Sequence, residues 1–241
     1  MPVKKWIAIA GPFIAAAQSS LLFAAVEEHE IDIGGATVQY KVVLPDDFDP
    51  EQAYPAILVF GGGPQTMRTI DGTLERNFRN IAEKLGYIVV GPAAPDGELF
   101  FQDGARIFPA FLAEILARYR IRNEKFHAAG PSNGGIAAFH VAARNPDYFL
   151  SVTAFPGYLW QPTNEKLIAL SNLCVFAYIG EHDRYQWHGE MRREIEYLNS
   201  LGTLARFVIE DDQPHRLETL AGPGAERLFE NFALAERGCR E

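Results

Sequence analysis

Apolar and polar positions along the chain follow two alternating periods. In IDIGGATVQYKVVLP apolar residues recur at every second place on either side of Gly34–Gly35, which predicts two strands joined as a hairpin. AILVF (56–60) and YIVVG (87–91) are short, nearly continuous apolar runs, as expected of strands buried on both faces. Between them Leu74, Phe78, Ile81 and Leu85 recur at helical spacing, and Gly86 marks a stop.

The same grammar continues to the end. Ile107, Phe111, Ile115 and Tyr119 share a helical face, and KFHAA (125–129) predicts the next strand. GGIAAFHVAARN suits a helix packed closely on a sheet, because its small residues let the backbone approach. LSVTAF (150–155), LCVFAYI (173–179) and ARFVIE (205–210) predict three further strands. Helices are expected from about Gly189 to Leu201 and over Ala225 to Leu234. Repeated strand–helix units imply an α/β fold: a mostly parallel central sheet with helices on both faces and antiparallel strands at its start. Ligands on such sheets bind beyond the carboxyl ends of the strands, so the loops after the strands are where chemistry is sought.

The N-terminal stretch departs from this pattern. Lys4 and Lys5 precede an apolar run without charge until Glu27, and Ala15–Ala16–Ala17 offers a small-x-small cleavage site. That layout predicts a secretory signal peptide over residues 1–25, hence an exported protein, periplasmic or extracellular. A membrane anchor is the alternative, but Gly11, Pro12 and Gln18–Ser19–Ser20 interrupt the run, and no stable span is expected after processing. Residues 26–241 are expected to form a single domain, large enough to bury a core unaided. With 22 basic against 31 acidic residues and a net charge of −9, and no basic stripe, nucleic acid is excluded as a partner. Cys174 lies in an apolar run and Cys239 near the end; export permits a disulfide, but a buried thiol and a tail thiol are the commoner arrangement. Neither has metal-ligand spacing.

One loop carries the main chemical signal. Gly130-Pro131-Ser132-Asn133-Gly134 matches G-x-S-x-G between a predicted strand and a predicted helix. A serine on such a turn projects its hydroxyl only if the residues two before and two after lack side chains. Pro131 stiffens the entry, and the helix after the turn favours negative charge at its amino end. A serine nucleophile needs a base, and the base an orienting acid. YIGEHD delivers Asp183 after one later strand and EDDQPH delivers His215 after the last. Glu181 rivals Asp183 from nearer the strand, where its longer side chain suits a fixed bond to an imidazole less well. His182 adjoins the acid and cannot readily face both partners. His188, His127, His140 and His29 fall at a helix start, in a strand, on a helix and before the first strand. Oxyanion donors would come from the backbone N–H of Asn133 and from the loop Gly61-Gly62-Gly63-Pro64.

With VFGGGP, YIVVGPAAP, GPSNGG, YIGEHD and QPH in hand, the chain resembles the α/β-hydrolase superfamily over residues 35–235. It is similar there to secreted esterases of the polyhydroxybutyrate-depolymerase-like and feruloyl-esterase-like group. The resemblance implies Ser132 as nucleophile, Asp183 as acid, His215 as base, and Gly62 with Asn133 as oxyanion donors. Phe60 stands where relatives usually carry His before the glycines. No long insertion separates the strands at 150–155 and 173–179, so no large lid is expected. Tyr158, Trp160, Tyr185 and Trp187 fall in loops on the same side and suggest an aromatic substrate wall. The expected activity is hydrolysis of carboxylic esters, small or polymeric, through an acyl-enzyme, without cofactor or metal. A serine peptidase with the same three residues and a non-catalytic binding protein of this fold are the alternatives.

Overall fold

A computed structural model describes residues 26–239; the expected signal segment, 1–25, lies outside them. Eight strands form one sheet in the order β1-β2-β4-β3-β5-β6-β7-β8, running Val26–Ile33, Ala36–Val43, Tyr54–Val59, Ile88–Pro92, Ile121–Gly130, Phe149–Ala154, Cys174–His182 and Ala205–Pro214 in chain order. The predicted hairpin is present: β1 pairs antiparallel with β2, which pairs antiparallel with β4, and every pair from β4 onward is parallel. Gly34 and Gly35 both take positive φ at the turn, which the missing Cβ makes accessible.

The central strands are apolar throughout because the sheet is covered on both faces. In β3, Ala56 and Leu58 face one core cluster while Ile57 and Val59 face the other. The first cluster receives α3 (Ala110–Arg118), α4 (Asn133–Arg144), α5 (Asn164–Ala169) and α6 (His188–Ser200). The second receives α1 (Met67–Thr73), α2 (Arg79–Leu85) and α7 (Glu226–Glu236). Among the described residues, no helix is long and apolar enough to cross a membrane.

Several elements differ from the sequence expectation for local reasons. A π-helical turn, Leu74–Phe78, joins α1 to α2. Ile81 and Ala82 of α2 are buried, while Leu85, the last residue of α2 before the left-handed Gly86 cap, is 57% exposed although helical spacing puts it on the face of Ile81. Ile107 lies in a 3₁₀ turn, and α3 starts only after Pro109, although both segments are buried against the same core. The short helix α5 has no counterpart in the expected pattern.

The cysteines correct the sequence expectation: Cys174 and Cys239 form a disulfide with a Cα–Cα distance of 5.9 Å. Proximity explains it, since α7 lies across the sheet face to which Cys174 points and the chain turns back at Gly238. The same helix is held by Glu236, which accepts from Arg122 at 2.9 Å and approaches the buried His127 at 3.4 Å.

Candidate active site

Strands β3, β5, β7 and β8 deliver the site from one carboxyl edge of the sheet. After β5 the chain makes a sharp turn into α4, with Ser132 at φ 57° and ψ −124°. A non-glycine residue in this region is strained, so the surroundings must impose it. Ser132 N–H donates to Pro156 O at 2.7 Å, and Gly134 N–H to Pro131 O at 2.8 Å. The two flanking glycines are required by contact: a Cβ on Gly130 would lie 2.6 Å from Phe60 O, and one on Gly134 would collide with the same oxygen.

The structure brings Ser132, His215 and Asp183 into one hydrogen-bonded line. Ser132 Oγ lies 2.8 Å from His215 Nε2, and His215 Nδ1 lies 2.6 Å from Asp183 Oδ2. The Nδ1–H donates to the carboxylate, which leaves Nε2 as acceptor for the serine hydroxyl. Asp183 is buried, and its other oxygen accepts the N–H groups of Tyr185 at 2.7 Å and Gln186 at 3.1 Å. With both oxygens engaged, the carboxylate cannot swing away from the imidazole.

A bulge positions His215. The β7–β8 pairing steps from Gly180 opposite Glu210 to His182 opposite Pro214, so β8 carries two more residues than β7 across this interval. Asp212 takes φ 57° within it. A Cβ on Gly180 would collide with Gln213 O and Pro214 O; the glycine therefore leaves room for the bulged strand that ends just before His215.

Gly62 and Asn133 also stand beside the serine. A Cβ on Gly62 would lie 3.2 Å from Pro131 O and 3.8 Å from Ser132 Cβ, so the 61–63 loop abuts the turn. Asn133 is the first residue of α4, where a backbone N–H has no partner within the helix. Phe60 is fully buried and packs edge-on against Phe100 and Phe108, with ring centroids 5.6 and 6.2 Å away; the loop is braced by aromatic packing where relatives would use His.

No sequence pattern marks Gln65. Fully buried, it donates to Asn133 O at 3.2 Å, accepts Phe100 N–H at 2.8 Å through its side chain, and accepts Ala94 N–H at 2.8 Å through its backbone. The Asn133 side chain in turn donates to Gly63 O at 2.9 Å. Only the position of Gln65, just past a triple-glycine loop, could have drawn notice.

The rival residues lie elsewhere. Glu181 points outward and accepts Asp212 N–H at 3.0 Å. His182 is exposed beside Asp212, and His188 lies 3.0 Å from Gly180 O. His127 bonds Ser151 Oγ at 2.8 Å in the core, where burial lowers its pKa. His140 sits within α4, and burial lowers its pKa to about 4. His29 stacks on Tyr40 at the first hairpin.

The four aromatic residues expected as a substrate wall divide between two places. Tyr185 and Trp187 pack edge-on against His215, at 4.6 and 5.0 Å, and Tyr158 against Trp187 at 5.1 Å. Trp160 instead meets Phe101 at 5.5 Å. None of the four lines the cavity of about 320 Å³ that opens beside Ser132. That cavity runs along the α1 face bearing Thr69, Gly72 and Thr73, past Arg76 of the π turn, opposite Phe155 and Leu217. The sheet expectation could not find this wall, because a helix face supplies it.

The sheet order, the strand–turn–helix after β5 and the helices on both faces define an α/β-hydrolase fold. Residues 110–221 match the family model Esterase. Dipeptidyl-peptidase 5 of Porphyromonas gingivalis is 30% identical over 135 residues, covering 51% of this chain and 20% of that protein; the chain thus spans about a fifth of that relative. S-formylglutathione hydrolase of Agrobacterium tumefaciens superposes with a TM-score of 0.66 at 17% identity, over 86% of this chain and 94% of that one. A ferulic acid esterase superposes with a TM-score of 0.62 at 19% identity, over 89% and 98%. The esterase segment and these neighbours support a hydrolase.

Proposed function

We propose that the protein is an exported serine hydrolase that cleaves carboxylic esters through an acyl-enzyme. The observation that carries this reading is the continuous line from Ser132 Oγ to Asp183, with both Asp183 oxygens fixed. In this reaction Ser132 Oγ attacks the ester carbonyl as its proton passes to His215 Nε2, and Asp183 holds the imidazole and stabilises its charged form. The backbone N–H groups of Gly62 and Asn133 receive the oxyanion, aided by the amino end of α4. Collapse expels the alcohol, which takes the proton from His215; water, activated by the same imidazole, then frees the acid. No step calls for a cofactor or a metal.

A fluorophosphonate probe and p-nitrophenyl acetate test this. Labelling and turnover in the wild type, both lost in Ser132→Ala, are expected; a folded wild type that neither labels nor turns over ester would leave a binding protein of this fold as the answer. Asp183→Asn should lower kcat about 10⁴-fold, because the imidazole would lose the partner that fixes its tautomer. The dipeptidyl-peptidase match favours peptide substrates as a second reading, so dipeptidyl anilides belong in the same assay; turnover of these but not of esters would replace the esterase by the peptidase. N-terminal sequencing of the mature protein tests removal of residues 1–25, and an intact Met1 after secretion would refute the signal peptide.

A further inference from the structure

Gly72 sits inside a helix, where glycine is among the least favourable residues. Two structural needs can justify such a glycine, and neither applies. Its φ is not positive, and a Cβ built on it meets nothing within 4 Å. By contrast a Cβ on Gly61 would lie 2.8 Å from Thr69 Oγ1, and one on Gly91 2.7 Å from Ile70 Cγ2, so close packing explains those two. What remains at Gly72 is the space itself. That space is the mouth of the cavity beside Ser132, because Gly72 lies on the cavity wall with Thr69 and Arg76, three residues before and four after it on one helix face.

The walls say what would enter. Thr69 and Thr73 turn their hydroxyls to helix carbonyls, Thr66 O and Thr69 O, each at 2.8 Å, so the cavity meets their methyl groups. Phe155 and Leu217 face them. Arg76 is held by Glu218 at 2.6 Å and by Leu217 O at 3.4 Å, which neutralises it at the cavity's edge. Asn77 turns its amide away to Leu220 O at 2.6 Å, and Arg216, 3.7 Å from the same Glu218, stands exposed at the rim, so the wall that Gly72 opens onto is carbon and suits an apolar group.

We propose that Gly72 is a specificity-determining residue: its missing side chain keeps open the cavity that receives an extended apolar limb, alkyl or aryl, of the ester. This rests on the esterase reading of Ser132. The limb belongs either to the acid or to the alcohol of the substrate, and its chemistry is the same.

The test compares wild type, Gly72→Ala and Gly72→Phe on two series: p-nitrophenyl esters from acetate to octanoate, and acetates from methanol to octanol. In Gly72→Phe the ratio of kcat/KM for the longest over the shortest member should fall about ten-fold or more in one series, and that series identifies the limb. Gly72→Ala should show a smaller fall in the same series and a melting temperature raised by about 2–4 °C, as helix propensity predicts for an open site. Ratios within about two-fold of wild type in both series would overturn the proposal. So would a lowered melting temperature in Gly72→Ala, which would show a structural need for the glycine. Absence of turnover for every ester in the wild type would overturn the esterase reading itself, a result distinct from either.

Discussion

Glu194 is a buried carboxyl whose ionisation opposes folding. It lies on α6, 6% exposed, and one carboxyl oxygen accepts Leu159 N–H at 2.9 Å in the loop that carries Tyr158. Burial raises its pKa to about 8; the Leu159 bond and Arg193 oppose the rise, and Glu190 adds to it. Below pH 4.5 the carboxyl is protonated folded and unfolded, so it has no pH-dependent effect. Between 4.5 and about 8 the unfolded chain releases the proton and the folded one keeps it, so stability falls by about 1.4 kcal/mol per pH unit. The loss reaches about 3 kcal/mol at pH 7. Glu194→Gln abolishes this slope and retains an acceptor for Leu159. For a chain of this length, its melting temperature at pH 7 should exceed that of wild type by roughly 10 °C. Thermal melts of both proteins from pH 4.5 to 8.5, followed by circular dichroism, give the check. The two should converge near pH 4.5, part steadily up to about pH 8, and keep a constant gap above it. A difference that stays constant with pH would refute the argument, because only a titrating group can produce a slope.

Three other perturbations act on the site's supports. Gly180→Ala places a methyl group against Gln213 O and Pro214 O, so it should displace His215 and lower kcat at least ten-fold while leaving Ser132 in place; unchanged turnover of p-nitrophenyl acetate would contradict the role given to the bulge. Gln65→Ala leaves Phe100 N–H buried without a partner and cuts the tie to Asn133 O, and should cost about 1–3 kcal/mol in urea unfolding, with kcat falling more than KM changes; a loss below about 0.5 kcal/mol would show that the amide braces nothing. Cys239→Ser opens a link between residues 65 apart, for which loop entropy gives about 4 kcal/mol of stability, and kcat should stay within two-fold; a melting temperature unaffected by substitution and by reductant would contradict the bond.

Much of the site was legible in the sequence because its residues obey local constraints. Gly130 and Gly134 are fixed by one backbone oxygen of Phe60, and Asp183 and His215 each come after a short apolar run of strand length. The features that the pattern hid depend on distance in three dimensions. Gln65 looks like any loop glutamine until burial gives it three partners. The disulfide needs α7 folded across β7 before Cys239 meets Cys174. Leu85 keeps the apolar spacing but ends α2 beside the Gly86 cap, where the helix end is exposed. Loop position alone suggests an aromatic substrate wall, yet the loop after β7 turns Tyr185 and Trp187 onto His215, and the cavity wall falls to α1.

These supports share a logic that bears on how the site would work. Ser132, His215 and Asp183 come from three strand ends, and the glycine loop from a fourth, so any relative motion of the strands would spoil the alignment. Each junction has its own clamp. Gln65 and the Asn133 side chain tie the glycine loop to the serine turn, the Tyr185 and Gln186 N–H groups fix Asp183, and Gly180 seats the bulge beneath His215. On the proposed esterase reading, donors held this way need not reorganise when charge develops on a substrate oxygen, which is how a preorganised site stabilises acyl transfer. Loss of a clamp should therefore depress kcat through geometry even where every reacting group remains.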